Sequence, residues 1–301
     1  TPLPWNERWL RGAVFQRLAR LEHGCVTVVD TDGAREFGQT SADCPLRATV
    51  TIHDPNAYRL LALRGSIGVG EGYMAGDWSC DDLPTLVRIF VLNQDALLGL
   101  EHGLTRLMMP LFRLLYARRD NNHRGSRANI AAHYDLGNEF YRLFLDDTLM
   151  YSAAIFPTPD TDLREASVAK IDRICRKLEL QPDDHLLEIG SGWGGFALYA
   201  AQRYGCRVTT TTISREQYEL ARERVREAGL EDRVTVLCQD YRDLRGAFDK
   251  LVSIEMIEAV GERHLKTYFH ACAQLLKPHG MMLLQAITVA DQKYEQYRNE
   301  V

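Results

Sequence analysis

Residues 185–195 read His185-Leu186-Leu187-Glu188-Ile189-Gly190-Ser191-Gly192-Trp193-Gly194-Gly195, and they indicate the architecture of the chain. The apolar run before Gly190 predicts a buried strand, and residues 195–204 predict a helix. Between them, glycines allow a sharp turn and let a ligand approach the backbone without a Cβ in its way. A strand that enters a helix through such a turn is typical of nucleotide-binding α/β sheets.

The residues that follow continue this alternation of strands and helices. Strands are predicted at 207–212, 234–237, 250–254 and 281–287, and helices at 216–228 and 264–276, the second stopped by Pro278. Strands separated by helices of this length predict a parallel sheet covered on both faces.

The N-terminal part has a different pattern. Residues 26–29 and 47–52 predict short strands, the five glycines of 65–76 predict close turns, and residues 81–84 start a helix towards Asn93. Residues 101–130 contain six arginines and two acidic residues, and leucines recur there at helical spacing. This stretch is either an inter-domain helix with solvated arginines or an amphipathic segment on anionic lipid. We therefore predict an α+β domain at 1–100, a basic helical linker at 101–123 and a catalytic domain at 124–301.

Composition narrows the class of protein. The 301 residues carry 36 Lys+Arg and 41 Asp+Glu, a net charge of −5, which does not favour a nucleic-acid partner. No apolar run approaches the roughly 18–20 residues of a membrane span, and no signal-peptide pattern begins the sequence. The seven cysteines are scattered without a CxxC pair, as in reduced cytoplasmic proteins, and they predict neither disulfides nor a metal site.

The acidic residues near the glycine turn discriminate between cofactors. A glycine at 195 satisfies the dinucleotide pattern GxGxxG, but the next strand ends in hydroxyls at 209–214 and in no acid. The acid instead precedes the turn, as Glu188, where it can meet an ammonium group. This arrangement favours S-adenosylmethionine over a nicotinamide cofactor, with Asp240 and Tyr241 placed to hold adenine. A glycine turn that binds nothing is the structural alternative.

Several motifs together make the chain resemble a known family, the cyclopropane-fatty-acyl-phospholipid synthases and the related mycolic-acid cyclopropane synthases. The motifs are Gly70-Glu71-Gly72-Tyr73-Met74-Ala75-Gly76-Asp77-Trp78, Asn129-Ile130-Ala131-Ala132-His133-Tyr134-Asp135-Leu136-Gly137-Asn138, Met150-Tyr151-Ser152, the glycine turn, Thr212-Ile213-Ser214-Arg215-Glu216-Gln217 and Ser253-Ile254-Glu255-Met256-Ile257-Glu258-Ala259-Val260-Gly261. The resemblance covers most of the chain. It implies a Rossmann-like class I methyltransferase sheet with a small N-terminal α+β domain, and a catalytic domain that continues beyond Val301.

The resemblance also implies the site residues. Those expected around S-adenosylmethionine are Tyr151, Ser152, Glu188, Gly190, Gly192, Trp193, Thr212, Ile213, Ser214, Gln217, Asp240 and Tyr241. Glu258 matches the family's active-site glutamate, which helps to position a bicarbonate ion. Ala153, Gln285 and Ile287 fall at the other ion-binding positions. Tyr134, Tyr141 and Trp193 are candidates to stabilise a carbocation with their ring faces.

The chain departs from the family pattern at the ion site. Ala153 stands where a cysteine is usual, Gln285 and Ala259 where histidines are usual, and Glu255 where a small residue is usual. Backbone N–H groups of Ala153 and Ile287 and the amide of Gln285 could still bind an anion. Glu255 would disfavour that anion unless one acid is protonated or points away.

The implied activity is transfer of the methyl carbon of S-adenosylmethionine to the cis double bond of a phospholipid acyl chain, giving a cyclopropane. A methylene- or methyl-branched product is the alternative within enzymes, and a non-catalytic lipid-binding protein is the alternative of another class. A nicotinamide oxidoreductase fits less well. The implied partner is a bilayer with unsaturated acyl chains, approached from the cytoplasm at its inner face. A homodimer is compatible with the resemblance.

Overall fold

The chain forms two compact units, Thr1–Leu115 and Tyr116–Val301. The computed structural model describes residues 5–94 of the first and 137–294 of the second. The predicted linker at 101–123, both predicted domain boundaries, and Tyr134 lie outside the described residues.

The first unit is a small α+β structure. Its helices are α1 (Trp5–Leu18), α2 (Asn56–Ala75) and α3 (Leu83–Leu92), and its strands are β1 (Gly24–Asp30), β2 (Gly33–Gln39), β3 (Arg47–Ile52) and β4 (Trp78–Cys80). The sheet has the order β2-β1-β3-β4, with β1 and β3 parallel and the outer pairs antiparallel. The helix predicted from residues 81–84 is confirmed, because the Asp82 side chain accepts a hydrogen bond from Thr85 N and caps α3.

The prediction of close turns throughout 65–76 is wrong, because residues 66–75 belong to α2, and only Gly65 and the C-cap Gly76 depart from helical backbone. The helix kinks at Gly65, whose φ of 56° is left-handed, and then continues to Ala75. A Cβ on Gly72 would lie 3.2 Å from the Trp78 ring, so this glycine permits close packing. Tertiary packing of the glycine-rich face therefore outweighs its weak helix propensity.

The second unit is an α/β domain. Its helices are α4 (Gly137–Arg142), α5 (Leu163–Lys177), α6 (Gly195–Tyr204), α7 (Arg215–Glu227) and α8 (Leu265–Leu275). Its strands are β5 (His185–Ile189), β6 (Arg207–Thr212), β7 (Val234–Cys238), β8 (Phe248–Ile254) and β9 (Leu276–Gln285). The five strands are parallel in the order β7-β6-β5-β8-β9, which confirms the predicted sheet.

The sequence predicted Pro278 to lie between α8 and the next strand. The structure places it within β9 instead. The pairing of β8 and β9 is irregular there, passing from Phe248 opposite Leu276 to Lys250 opposite Met281. A proline is tolerated at such a bulge on an outer strand because no ladder hydrogen bond needs its missing N–H.

The strand order reverses direction between β5 and β8. In open parallel sheets, ligands bind beyond the carboxyl ends of the strands at this switch point. Gly190 follows β5 and Glu255 follows β8, so the fold places both residues at the switch point.

Candidate active site

A cavity of about 640 Å³ lies at the carboxyl ends of β5, β6, β7 and β8. Its volume is within the range of small-molecule sites, roughly 300–1,000 Å³. The predicted cofactor residues that line it are Tyr151, Ser152, Glu188, Gly190, Gly192, Trp193, Thr212, Ile213, Gln217, Asp240 and Tyr241. Glu258 and Ile287 line the same cavity, so the structure brings the cofactor residues and part of the catalytic set together.

The glycine turn forms one wall of this cavity. Gly190 and Gly192 have φ values of 97° and 49°, a left-handed conformation that favours glycine. The N–H groups of Gly190 and Ser191 both donate to Thr211 O at 2.9 Å, which fixes the turn against β6. Among the residues that the structure describes, a Cβ on Gly192 would meet no heavy atom within 4 Å, so this turn leaves open space for a ligand.

Glu188 supplies an acid at the floor of the cavity. Its side chain is buried at the end of β5, and one carboxylate oxygen accepts a 2.6 Å hydrogen bond from Thr210 Oγ1. Burial raises the pKa of Glu188 to about 8, against the effects of Thr210 and Lys170, which lower it. A cationic group bound beside this carboxylate would favour its ionised form, as the ammonium of S-adenosylmethionine requires.

Asp240 and Tyr241 occupy the side of the cavity next to β7. Both carboxylate oxygens of Asp240 accept hydrogen bonds from Arg242, at 2.8 and 2.6 Å. The Tyr241 ring is half-buried and packs edge-on against Tyr268 at 5.4 Å between ring centroids. The pair therefore offers a fixed ring and a fixed acid where the sequence predicts adenine to bind.

Ser214 does not line the cavity, although the sequence placed it with the cofactor residues. Its side chain is the N-cap of α7 and accepts a hydrogen bond from Gln217 N. Gln217 itself lines the cavity and accepts a 2.8 Å hydrogen bond from Thr212 Oγ1. The serine thus acts on the site through the start of the helix.

The aromatic ring of Tyr141 packs behind Tyr151 and Trp193. Tyr141 is buried, with ring centroids 4.8 Å from Trp193 and 5.2 Å from Tyr151, and it does not line the cavity. Trp193 donates from Nε1 to Asn138 Oδ1 at 2.7 Å. The structure therefore places Tyr141 in packing behind the cavity wall, and its catalytic role stays a prediction.

Glu255 is the centre of a hydrogen-bonded group at the end of β8. One of its carboxylate oxygens accepts from Ala153 N at 3.0 Å and from Gln285 Nε2 at 2.8 Å. The Gln285 amide also donates to Ala153 O at 3.2 Å. Neither Ala153 nor Gln285 lines the cavity, while Glu255 does. The two donors that the sequence assigned to an anion are thus engaged by a side chain of the protein.

Glu258 and Ile287 form a second pair beside this group. Ile287 N donates to Glu258 Oε1 at 2.6 Å, and both residues are exposed. The backbone N–H of Ile287 is therefore also held by a carboxylate of the protein, at the open side of the cavity.

Sequence reasoning left Lys170 and Arg224 out of the site, and it considered Glu255 only as a charge that disfavours a bound anion. Lys170 is buried in α5 and donates to Ser152 Oγ. Arg224 of α7 donates to Trp193 O at 2.7 Å and to Asp147 O at 2.8 Å, and so joins the glycine turn to residues 147–148. The sequence contains a signal for Glu255, because it is an acid directly after a strand at the switch point. It contains no comparable signal for Lys170 or Arg224.

Three features define the class I S-adenosylmethionine-dependent methyltransferases. They are a parallel sheet whose strand order reverses between β5 and β8, a glycine turn that leaves room for a ligand, and a buried acid before that turn. The model of the mycolic acid cyclopropane synthetase family matches residues 121–300. The chain belongs to this family, which confirms the resemblance found in the sequence.

Relatives agree with this assignment. The chain is 40% identical over 287 residues to the tuberculostearic acid methyltransferase UfaA1 of Mycobacterium tuberculosis, covering 92% of this chain and 66% of that protein. It is 40% identical over 242 residues to the cyclopropane-fatty-acyl-phospholipid synthase of Escherichia coli, covering 80% of this chain and 61% of the relative. The chain thus spans less than two thirds of either relative's length.

A solved structure shows the same fold. The mycolic acid cyclopropane synthase CmaA1 in complex with SAH and CTAB superposes with a TM-score of 0.54 at 37% identity, covering 57% of this chain and 60% of that one. S-adenosylmethionine is accordingly the cofactor of this domain, as predicted. Within residues 5–94 and 137–294, no helix combines the length and apolar character needed to cross a bilayer.

Proposed function

We propose that this protein transfers the methyl carbon of S-adenosylmethionine to the cis double bond of an unsaturated phospholipid acyl chain, giving a cyclopropane fatty acyl chain. The observation that carries the proposal is the cavity itself, where the cofactor residues and the Glu255 and Glu258 carboxylates meet. The similarity to the E. coli cyclopropane-fatty-acyl-phospholipid synthase supports the substrate class.

S-adenosylmethionine supplies an electrophilic methyl group on a sulfonium, so the chain's residues need to position the reactants and exclude water rather than supply a metal. The alkene π pair forms the new bond to carbon, and the sulfur keeps the electrons of the bond that breaks. A carbocation then remains on the acyl chain. When a base removes a proton from the transferred methyl group, the C–H electrons close the three-membered ring.

We assign the base to Glu255 rather than to a bicarbonate ion. The Ala153 N–H and the Gln285 amide, expected to hold that ion, both donate to the Glu255 carboxylate. Glu255 also has a left-handed φ of 47°, which is costly for a residue with a side chain and marks functional sites. A carboxylate fixed there can accept a proton without a bound anion, so the proposed mechanism needs no bicarbonate ion.

A methylene- or methyl-branched product is the second candidate. A base that is fixed to β8 can reach a proton on a neighbouring carbon of the acyl chain instead of one on the transferred methyl group. The similarity to the tuberculostearic acid methyltransferase UfaA1 favours this outcome. The two candidates share every residue assignment above, and which proton leaves decides between the cyclopropane and the methylene-branched chain. A methyl-branched chain would additionally require a separate reductase to reduce the methylene group.

Product analysis separates the candidates. The full-length protein is supplied with methyl-labelled S-adenosylmethionine and vesicles of unsaturated phospholipid, and the acyl chains are examined by mass spectrometry before and after mild hydrogenation. A labelled chain with one added CH2 that resists hydrogenation supports the cyclopropane. A labelled chain that takes up hydrogen supports the methylene product. Binding of S-adenosylmethionine or of lipid without any labelled product would favour a non-catalytic lipid-binding protein.

Glu258→Gln is expected to lower kcat about tenfold while the affinity for S-adenosylmethionine changes less than about threefold. The glutamine carbonyl can still accept from Ile287 N, so the loop stays in place, but the negative charge that favours a cationic acyl chain is lost. Glu231→Gln, an exposed glutamate before β7, is the matched control. An unchanged kcat in Glu258→Gln would remove this residue from the mechanism.

The setting of the reaction is also part of the proposal. Because the acyl chains of phospholipids lie in a bilayer, we propose that the protein works in the cytoplasm, peripherally associated with the inner face of the membrane. Cosedimentation with unsaturated phospholipid vesicles tests this association. The predicted homodimer stays a prediction, which analytical ultracentrifugation would test.

A further inference from the structure

Lys170 is a buried cation in α5 that the proposed mechanism does not yet use. Lys170 is 2% exposed, and its ammonium donates a hydrogen bond to Ser152 Oγ. Burying an ammonium is costly unless it is paired with polar or negatively charged groups. Its position therefore requires an explanation in the groups around it.

α5 fastens the chain segment that enters the cavity, residues 146–155. Ser167 donates to Asp146 Oδ2 at 2.9 Å, and Arg164 donates to Asp147 Oδ1 at 2.9 Å. Lys170 continues this series one turn further along the helix, and its partner Ser152 lines the cavity. The contact at Lys170 thus sets the position of a cofactor residue, while the other two hold the start of the segment.

Three carboxylates act on the Lys170 ammonium from different elements. Glu255 follows β8, Glu188 ends β5, and Asp146 lies in the segment before α5. Burial lowers the pKa of Lys170 to about 8, and Glu255, Asp146 and Glu188, in that order of effect, oppose the shift. Glu188 and Glu255 also line the cavity.

We propose that Lys170 is a positioning residue of the methyl-transfer site: its ammonium holds the Ser152 hydroxyl at the cavity wall. This role concerns cofactor binding alone.

Lys170→Met is the main test, because methionine has a similar length and no charge or donor. In the full-length protein we expect the Kd for S-adenosylmethionine, measured by calorimetry, to rise about tenfold. Lys177→Met, on an exposed position of the same helix, is the matched control and should leave the Kd unchanged.

Lys170→Gln tests whether the hydrogen bond to Ser152 is what matters. Its amide can still donate towards Ser152, so cofactor affinity should stay within about threefold of wild type, unlike in Lys170→Met. A merely structural lysine would change thermal stability without this difference in cofactor affinity between the two variants. If both variants fold and behave like Lys177→Met, or if neither variant folds, the proposal is overturned and Lys170 belongs to the core.

These outcomes are distinct from failure of the proposed function. A wild-type protein that binds S-adenosylmethionine but makes no lipid product would overturn the proposed function. The calorimetric comparison of Lys170→Met with Lys177→Met would still decide whether Lys170 positions the cofactor residue Ser152.

Discussion

Gly192→Val abolishes measurable binding of S-adenosylmethionine and, with it, all methyl transfer. Gly192 has a φ of 49°, and a Cβ built there points into space that no heavy atom of the described residues occupies within 4 Å. That space is the cavity, so the valine methyl groups would fill the volume that the cofactor needs. The left-handed backbone adds about 1–2 kcal/mol of strain, too little by itself to unfold a stable domain.

Calorimetric titration with S-adenosylmethionine measures the loss, and thermal unfolding checks that the variant is folded. Gly229→Val is the matched control, because Gly229 also has a left-handed φ, of 66°, and no heavy atom within 4 Å, but it does not line the cavity. The control should lose stability to a similar degree and bind the cofactor normally. Retained binding in Gly192→Val would contradict the assignment of the glycine turn.

Glu255→Gln lowers kcat by about a thousandfold and leaves the affinity for S-adenosylmethionine nearly unchanged. Removing a positioned general base typically costs roughly 10²–10⁴ in rate. The glutamine carbonyl can still accept the hydrogen bonds from Ala153 N and Gln285 Nε2, so the local structure is retained while the proton acceptor is lost. Product formation from labelled S-adenosylmethionine measures the change, with Glu231→Gln as the control.

A second substitution at the same position tests why the carboxylate matters. Glu255→Gly removes the carboxylate, relieves the left-handed backbone and frees the two donors for an added anion. Recovery of turnover in this variant with added bicarbonate, and no such response in wild type, would support a built-in base. Full activity of Glu255→Gln would show that another group takes the proton.

Local sequence patterns were sufficient for most of the α/β domain. The alternation of apolar strands and amphipathic helices predicted β5 to β8 and α6 to α8, because the periodicity of apolar residues depends only on residues that are close in sequence. The glycine turn was equally readable, since a left-handed backbone at Gly190 and Gly192 requires that residue type. The same logic failed at residues 65–76, where glycines serve close packing within a helix.

The sequence by itself determined the class of fold and predicted the glycine turn and most of the residues that line the cavity, because these depend on short-range pattern and on a recognisable set of motifs. Only the tertiary structure decided that Ala153 and Gln285 hold the carboxylate of Glu255, that Tyr141 packs behind the wall, and that Lys170 reaches Ser152. Ala153 and Glu255 are 102 residues apart in sequence. Their contact follows from the pairing of β5 with β8 and from the docking of α5, and long-range packing of this kind leaves no local periodicity in the chain.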